Sequence, residues 1–435
     1  MGKKPTTIGP CKTEVTYLDN NSTVKICPPA RAAVVKWLDS RANPSSDSII
    51  ARNAKAMVDS ATSYVLRHSG VTPSAYTALF TSGASESNCL VLRSLVEAYR
   101  RSTGRRPHIV TSATEHKSVI QCCNSMRDDG YADITYVEPT AYGCIDPALV
   151  ERAITANTAL ISIMAANNEI GCINALKEIG DIAHARNIPF HSDASQLYGK
   201  YKIPLVSSRI DALSASFHKL GGPMGIGLLI LSNALITGYG IRSQISGTQQ
   251  QTLRGGTENV PAIAGAVAAL CHAFEGRPAK NKRMYQLKRD VVSGLERILP
   301  RGTYKSYFEG RKPTRNEFVV LGPTDSGSHI TPNVLPNTLL IAFAKNKMFA
   351  GGDNAPFCNS ALKKCLDRQN IIIAVGSACN TSSPKASHVL SAIKAPPVIV
   401  RGVIRISLAD TTTQGGIKRL VACLAECVAK QMPLD

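Results

Sequence analysis

From residue 78 to residue 231, short apolar, β-prone runs alternate with helix-length amphipathic stretches. That alternation restricts the fold more than any other feature, because a strand followed by a crossover helix re-enters a sheet in the parallel sense. The spacing predicts strands over 78–81, 108–112, 134–137, 160–164, 189–192, 212–216 and 227–231. Helices are expected between them over 85–101, 117–129, 147–154 and 175–186. Residues 261–274 read as a buried helix and 280–298 as an exposed basic one. Residues 301–336, rich in Pro, Gly, Ser and Thr, lose periodicity and read as a connecting segment or insertion. Beyond them, strands at 339–343, 371–375 and 403–408 and helices at 359–368 and 416–430 predict a smaller α+β domain. The expected architecture is α/β. A large domain, 28–275, holds a mainly parallel seven-stranded sheet flanked by helices, and a smaller α+β domain covers 276–435. Residues 1–27 are expected to pack with the smaller one.

A chain of 435 residues exceeds what one small core can hold. No uncharged run nears the ~18 residues of a membrane span, and residues 1–15 lack the apolar core of a secretory signal. A cytoplasmic protein without membrane association is expected. Thirteen cysteines, without CxxC spacing, point to free thiols in a reducing compartment and against a disulfide frame or a metal site. Cys122, Cys123, Cys423 and Cys427 read as helix-face packing residues. The net charge of +19 favours acidic partners. It admits nucleic acid without identifying it, since aromatics are only 5% and no stacking platform is visible.

The stretch ALSASFHKLGGPMGIG (212–227) carries the first chemical signal. Lys219 stands where a strand opens into a glycine turn. Partial desolvation there lowers an ammonium pKa and frees the amine for a Schiff base with an aldehyde cofactor. A solvated loop lysine is the plain alternative. TSGASES (81–87) is a small-residue loop between strand and helix, suited to a phosphate or to ordinary helix capping. TEHK (114–117) sets His116 at a second such handover, where an imidazole can stack on a planar ring and move protons. NNEIG (167–171) follows a buried strand, and the Asn168 amide suits a phenolate or carboxylate oxygen. HSDASQ (191–196) ends an apolar strand in Asp193, which is expensive to bury unpaired and suits a protonated pyridinium nitrogen; Gln196 follows three residues on. Thr257, in RGGTEN (254–259), offers a hydroxyl to another phosphate oxygen. Cys379, in GSACNT (376–381), sits in a small polar loop as reactive thiols do. Arg405, inside the apolar run IRIS (404–407), needs an anion and suits a substrate carboxylate.

Ten stretches in order, from YLDNNST (17–23) through FTSGASES (80–87), TEHKSVI (114–120), NNEIG, HSDASQ, FHKLGGPMGIG (217–227), LRGGTENV (253–260), LPNTL (335–339) and GSAC (376–379) to IRISL (404–408), resemble the NifS/IscS-type cysteine desulfurases. These are class-V aminotransferase relatives with pyridoxal-phosphate fold type I. The resemblance covers about residues 15–425 and implies a transferase that removes sulfur from L-cysteine through a pyridoxal 5'-phosphate aldimine. The products it implies are L-alanine and a persulfide on Cys379. It further implies Lys219 as the Schiff-base lysine, His116 stacked on the ring, and Asp193 on the ring nitrogen. Asn168 and Gln196 fall near the ring oxygen and substrate carboxylate, and Arg405 on that carboxylate. Ala84, Ser85, Ser216 and His218 form the phosphate cup, with Thr257 entering from the other subunit of a homodimer. A sulfur-acceptor protein such as an iron–sulfur scaffold, or RNA thiolation, would receive the persulfide. Departures from the family pattern are Ser22, Val24, Ser85, Phe217, Met224 and Ala409-Asp410, the last placing a negative charge near Arg405 in sequence. Two other readings stay open at this point: a selenocysteine lyase-like enzyme, and a catalytically weak binding or scaffold relative.

Overall fold

The computed structural model describes residues 15–312, 316–323, 333–344, 359–375 and 387–431. All seven expected strands pair in one sheet: Tyr76–Thr81 (β1), His108–Ser112 (β2), Asp133–Val137 (β3), Thr158–Ser162 (β4), Phe190–Asp193 (β5), Ala212–Ser216 (β6) and Gly227–Ser232 (β7). Their order is β1-β7-β6-β5-β4-β2-β3. Only β7 within this sheet runs antiparallel to its neighbours. Every strand but the edge strand β3 is buried along its whole length, and its sequence is built mainly from apolar and small residues, with His191, Ser192 and Asp193 the polar exception in β5. The other edge, β1, is covered by Gln250, whose amide bonds both backbone groups of Phe80 at 2.6 and 2.9 Å.

Helices Ala84–Thr103, Lys117–Asp128, Pro147–Ala153 and Leu176–Ala185 lie where the spacing predicts them. Two more, Pro28–Leu38 and Ile49–His68, precede the sheet and are not among the expected helices. Exposed Val35 and Leu38 blur the period of the first, whereas the second keeps a stripe at helical spacing, Ala51, Ala54, Val58, Ala61 and Val65, that was a usable signal. Helix Val260–Phe274 packs against both of them. At Gly265 a Cβ would come within 2.5 Å of Val34, so the close approach needs glycine.

A second sheet contains Arg301–Gly302 (β8), Glu317–Leu321 (β9), Thr338–Ala344 (β10), Ala374–Val375 (β11) and Val403–Ser407 (β12), in the order β11-β12-β10-β9-β8. The expectation of a connecting segment at 301–336 is therefore corrected in part, because β9 is buried at each residue and pairs along β10. Its apolar run, 318–321, is only four residues long, and turn-rich flanks hide it. The expected strand 371–375 is split: Ile371–Ile372 pairs with Thr16–Tyr17, whereas β11 pairs with β12.

The cysteine expectation is also corrected. Cys144 is bridged to Cys172 and Cys365 to Cys427, with Cα separations of 5.7 and 6.3 Å. Sequence separations of 28 and 62 give no local signal of either bridge. Cys27, Cys89, Cys122, Cys123, Cys271 and Cys423 are free. No helix among the described residues is long and apolar enough to cross a membrane.

Candidate active site

The carboxyl ends of β1, β2, β4, β5 and β6 open on one cavity of about 700 Å³. That edge of a parallel sheet is where helix N-termini and loops leave space for a ligand. Ala84, Ser85, His116, Asn168, Asp193, Gln196, Ser216, His218, Lys219 and Arg405 all line it, together with Asn21 and Ser22. Thr257 does not; it lies on an exposed turn. Cys379 falls outside the described residues.

Lys219 is delivered by a single tight turn, Phe217–Lys219, directly after β6. Its Nζ donates to the backbone carbonyls of Asn21 and Ser22, each at 2.6 Å. Burial, followed by the nearby Arg405 charge, lowers its pKa to about 8, against the opposing pull of Asp19 and Asp193. About a tenth of such an amine is unprotonated at pH 7, far more than for an exposed lysine. Phe217 is buried with its ring centroid 6.3 Å from that of Phe80.

Asp193 closes β5 and is held on both oxygens. Its Oδ1 accepts the Ser195 backbone N–H at 2.9 Å and the Ser195 hydroxyl at 2.6 Å, and its Oδ2 accepts Asn88 Nδ2 at 2.8 Å. His116 caps helix Lys117–Asp128, with Nδ1 accepting the Ser118 N–H at 3.2 Å. The plain capping role and a place in the site thus coexist. An acceptor at Nδ1 assigns the proton of the neutral ring to Nε2. The ring edge is exposed in the cavity, yet the atoms crowding it still desolvate it and lower its pKa, with Asp193 opposing.

The loop after β1 enters the 20-residue helix Ala84–Thr103, and the first N–H groups of a helix have no carbonyl partner within it. Gly227 of β7 packs so tightly here that a Cβ would lie 2.4 Å from the Gly83 carbonyl carbon. Glu86 accepts the Ser82 N–H at 2.7 Å and pairs with Arg254 at 2.9 Å, tying the 254–259 turn to this loop. His218 shares a 3.2 Å hydrogen bond with Thr23; burial and then Lys219 lower its pKa to about 4, so it is neutral at pH 7.

Arg405 reaches across from β12. Its Nη2 donates to Asp19 Oδ1 at 2.6 Å and Ser22 Oγ at 3.2 Å, and its Nη1 to the Asn168 carbonyl at 3.1 Å. Its buried Nε has no partner among the described residues. The anion that the sequence requires beside Arg405 is thus supplied here by Asp19. Asp410 faces elsewhere, 3.4 Å from His272 and 3.7 Å from Lys280. Gln196 donates to the Asn21 carbonyl at 3.1 Å, while its buried Oε1 is without a partner among the described residues.

Sequence reading assigns no role to Asp19, Asn88 or Glu115. Glu115 is fully buried, accepts the Ser112 hydroxyl at 2.8 Å and the Met164 N–H at 2.7 Å, and is raised by burial to a pKa of about 8. A glutamate beside His116 at a strand end was a usable signal, as was Asn88 on the inward face of an otherwise apolar helix stripe.

The match to the class-V aminotransferase family spans residues 16–321. A "Cysteine desulfurase IscS" of Methanosarcina thermophila is 31% identical over 418 residues, covering 96% of this chain and 93% of the relative. A cysteine desulfurase of Cereibacter sphaeroides is 33% identical, covering 95% and 96%. A solved NifS-like protein aligns with a TM-score of 0.80 at 27% identity over 96% of this chain and 100% of the other. SspA, solved in complex with cysteine, aligns with a TM-score of 0.69 at 30% identity over 91% and 99%. The chain belongs to the class-V aminotransferase family. Within that family it groups with the cysteine desulfurases of the IscS and NifS type.

Proposed function

We propose that this chain is an L-cysteine desulfurase, converting L-cysteine and its own thiol into L-alanine and a persulfide on Cys379. The observation that carries the reading is the convergence of Lys219, Asp193 and His116 on one cavity. The surrounding residues fit pyridoxal 5'-phosphate. Asp193, buried with both oxygens fixed, suits a protonated ring nitrogen, and His116 suits the ring face. The orphaned Gln196 Oε1, with Asn168, suits the ring oxygen. The first-turn N–H groups at Ala84 and Ser85, with Ser216 and the neutral His218, suit the phosphate. Bound there, the cofactor would supply an electron sink for the substrate α-carbon.

The chain's own groups supply the rest. Arg405, oriented by Asp19 and the Asn168 carbonyl, holds the substrate carboxylate. Lys219, as free amine, takes the α-proton and returns it to the product, a role its lowered pKa suits. The Cys379 thiolate attacks the substrate sulfur; an S–S bond forms as the C–S bond breaks, and proton return completes alanine. The persulfide passes to an acceptor such as an iron–sulfur scaffold, or into RNA thiolation. Thr257, exposed and off the lining, reaches the cavity of a second copy in a homodimer. In this reading the chain divides into a large domain, 28–275, and a small one, 276–435; of the N-terminal segment, Thr16–Tyr17 pairs with Ile371–Ile372 of the small one.

The test is release of alanine and sulfide from L-cysteine with a reductant. We expect Lys219→Ala to abolish both products. Cys379→Ala is expected to abolish turnover while keeping the coloured cofactor. A colourless, inert natural chain would refute the reading, and a fully active Cys379→Ala chain would favour the lyase alternative.

A further inference from the structure

Asn88 lies one full helical turn inside Ala84–Thr103, completely buried and absent from the cavity lining. Its Nδ2 is 2.8 Å from Asp193 Oδ2 and 3.0 Å from Ser118 Oγ. A carboxylate only accepts, so the atom facing Asp193 is the amide nitrogen, and the opposite flip would set two oxygens against each other. Both amide hydrogens are then spent, one on Asp193 and one on Ser118. Ser118 Oγ, having accepted one bond, lies 2.8 Å from His116 Nδ1 and is left to donate there. The chain of contacts runs Asp193, Asn88, Ser118, His116.

The remaining amide oxygen, Asn88 Oδ1, is buried with no partner among the described residues. An amide in that state is a poor packing residue, because an orphaned buried acceptor is destabilising where a leucine or alanine would not be. Its place on a helix face otherwise lined by Val91, Leu92 and Leu95 needs a use for its two donors.

We propose that Asn88 is a positioning residue that locks the Asp193 carboxylate and, through Ser118, the His116 imidazole into one fixed arrangement for the cofactor ring. The proposal rests on the site reading given above. It places one buried amide behind both groups that would flank the ring, one at its edge and one at its face. Asn88 itself touches neither substrate nor cofactor. Deleting the amide frees the Oδ2 side of Asp193 to rotate about the Ser195 contacts, and frees the Ser118 hydroxyl to turn from His116.

The experiment measures pyridoxal phosphate uptake by the cofactor-free natural chain, Asn88→Leu and Ser118→Ala, read from absorbance. Alongside it, ¹⁵N-histidine spectra of the same cofactor-free chains report the His116 tautomer, with His116→Gln identifying its signal. Asn88→Leu is expected to bind the cofactor about tenfold more weakly or worse, the size of a lost hydrogen bond to a charged group, and to broaden or shift the His116 Nδ1 resonance. Ser118→Ala is expected to shift the His116 resonance while changing cofactor affinity less than threefold. That variant sits at a helix start and keeps the proposal testable if Asn88→Leu does not fold. If the natural chain takes up no cofactor, the site reading fails and the proposal with it. If it does, but Asn88→Leu matches it in affinity and in the His116 signal, only the proposal is overturned. An unchanged His116 signal in Ser118→Ala would also overturn it.

Discussion

Glu115 offers the sharpest test of how the interior beside the site is built. It is wholly buried, with Oε1 accepting two hydrogen bonds and Oε2 without a partner among the described residues. Burial raises its pKa from 4.5 to about 8. Between those values the folded chain holds a proton that the unfolded chain releases. Stability contributed by that proton is therefore complete below about pH 4.5 and lost as pH rises through about 8. The lysines Lys219, Lys200 and Lys288, lowered by burial, pull the other way in part of this range. The difference between the natural chain and Glu115→Gln isolates the one group. Glutamine is neutral throughout and carries only a constant offset from its buried amide. The stability of Glu115→Gln relative to the natural chain should thus rise by about 1.4 kcal/mol per pH unit. Between pH 5 and pH 7 that is about 2.5 kcal/mol, levelling off above pH 8. Urea unfolding at matched pH values reads it directly. Parallel curves would mean that Glu115 is ionised in the folded chain, and the account of its burial would be wrong.

Four further outcomes follow from particular contacts. Asp19→Ala removes the ion pair with Arg405, whose side chains are 10% and 18% exposed. We expect a loss of about 1–3 kcal/mol in urea unfolding and a higher KM for L-cysteine; an unchanged KM would show that Asp19 does not orient Arg405. Uptake of pyridoxal phosphate by the cofactor-free chain should accelerate as pH passes about 8, where Lys219 loses its proton. In Arg405→Ala that midpoint should move up, since the arginine charge is the second cause of the lowering. Gly227→Ala would drive a Cβ to 2.4 Å from Gly83, so a lower Tm, by about 1–3 kcal/mol of stability, and weaker cofactor retention are expected. Thiol titration of the denatured, unreduced chain should find the four cysteines of the two bridges protected until reductant is added.

What could be read from the sequence was what is local. The inner strands of the large sheet are short runs of apolar and small residues bounded by turns, and burial on both faces keeps charge out of most of them. The site residues at strand ends were legible for the same reason, because Lys219, Asp193 and His116 each mark the point where an apolar run gives way to polar residues. Helix Pro28–Leu38 escaped because exposed Val35 and Leu38 blur its amphipathic period, whereas the stripe Ala51, Ala54, Val58, Ala61 and Val65 of Ile49–His68 was there to be read. β9 escaped because four apolar residues between turn-rich flanks are too few to announce a strand. Tertiary structure alone decided the pairings across long separations. Asp19 meets Arg405 over 386 positions, Asn88 meets Asp193 over 105, and Cys365 meets Cys427 over 62. No periodicity encodes such partners, since each is set by which helices, strands and loops the fold packs together. The sequence alone thus determined the strand-and-helix order and the chemical types available at the site. The packing decided which of those groups are desolvated, which are already paired, and so what each is left free to do.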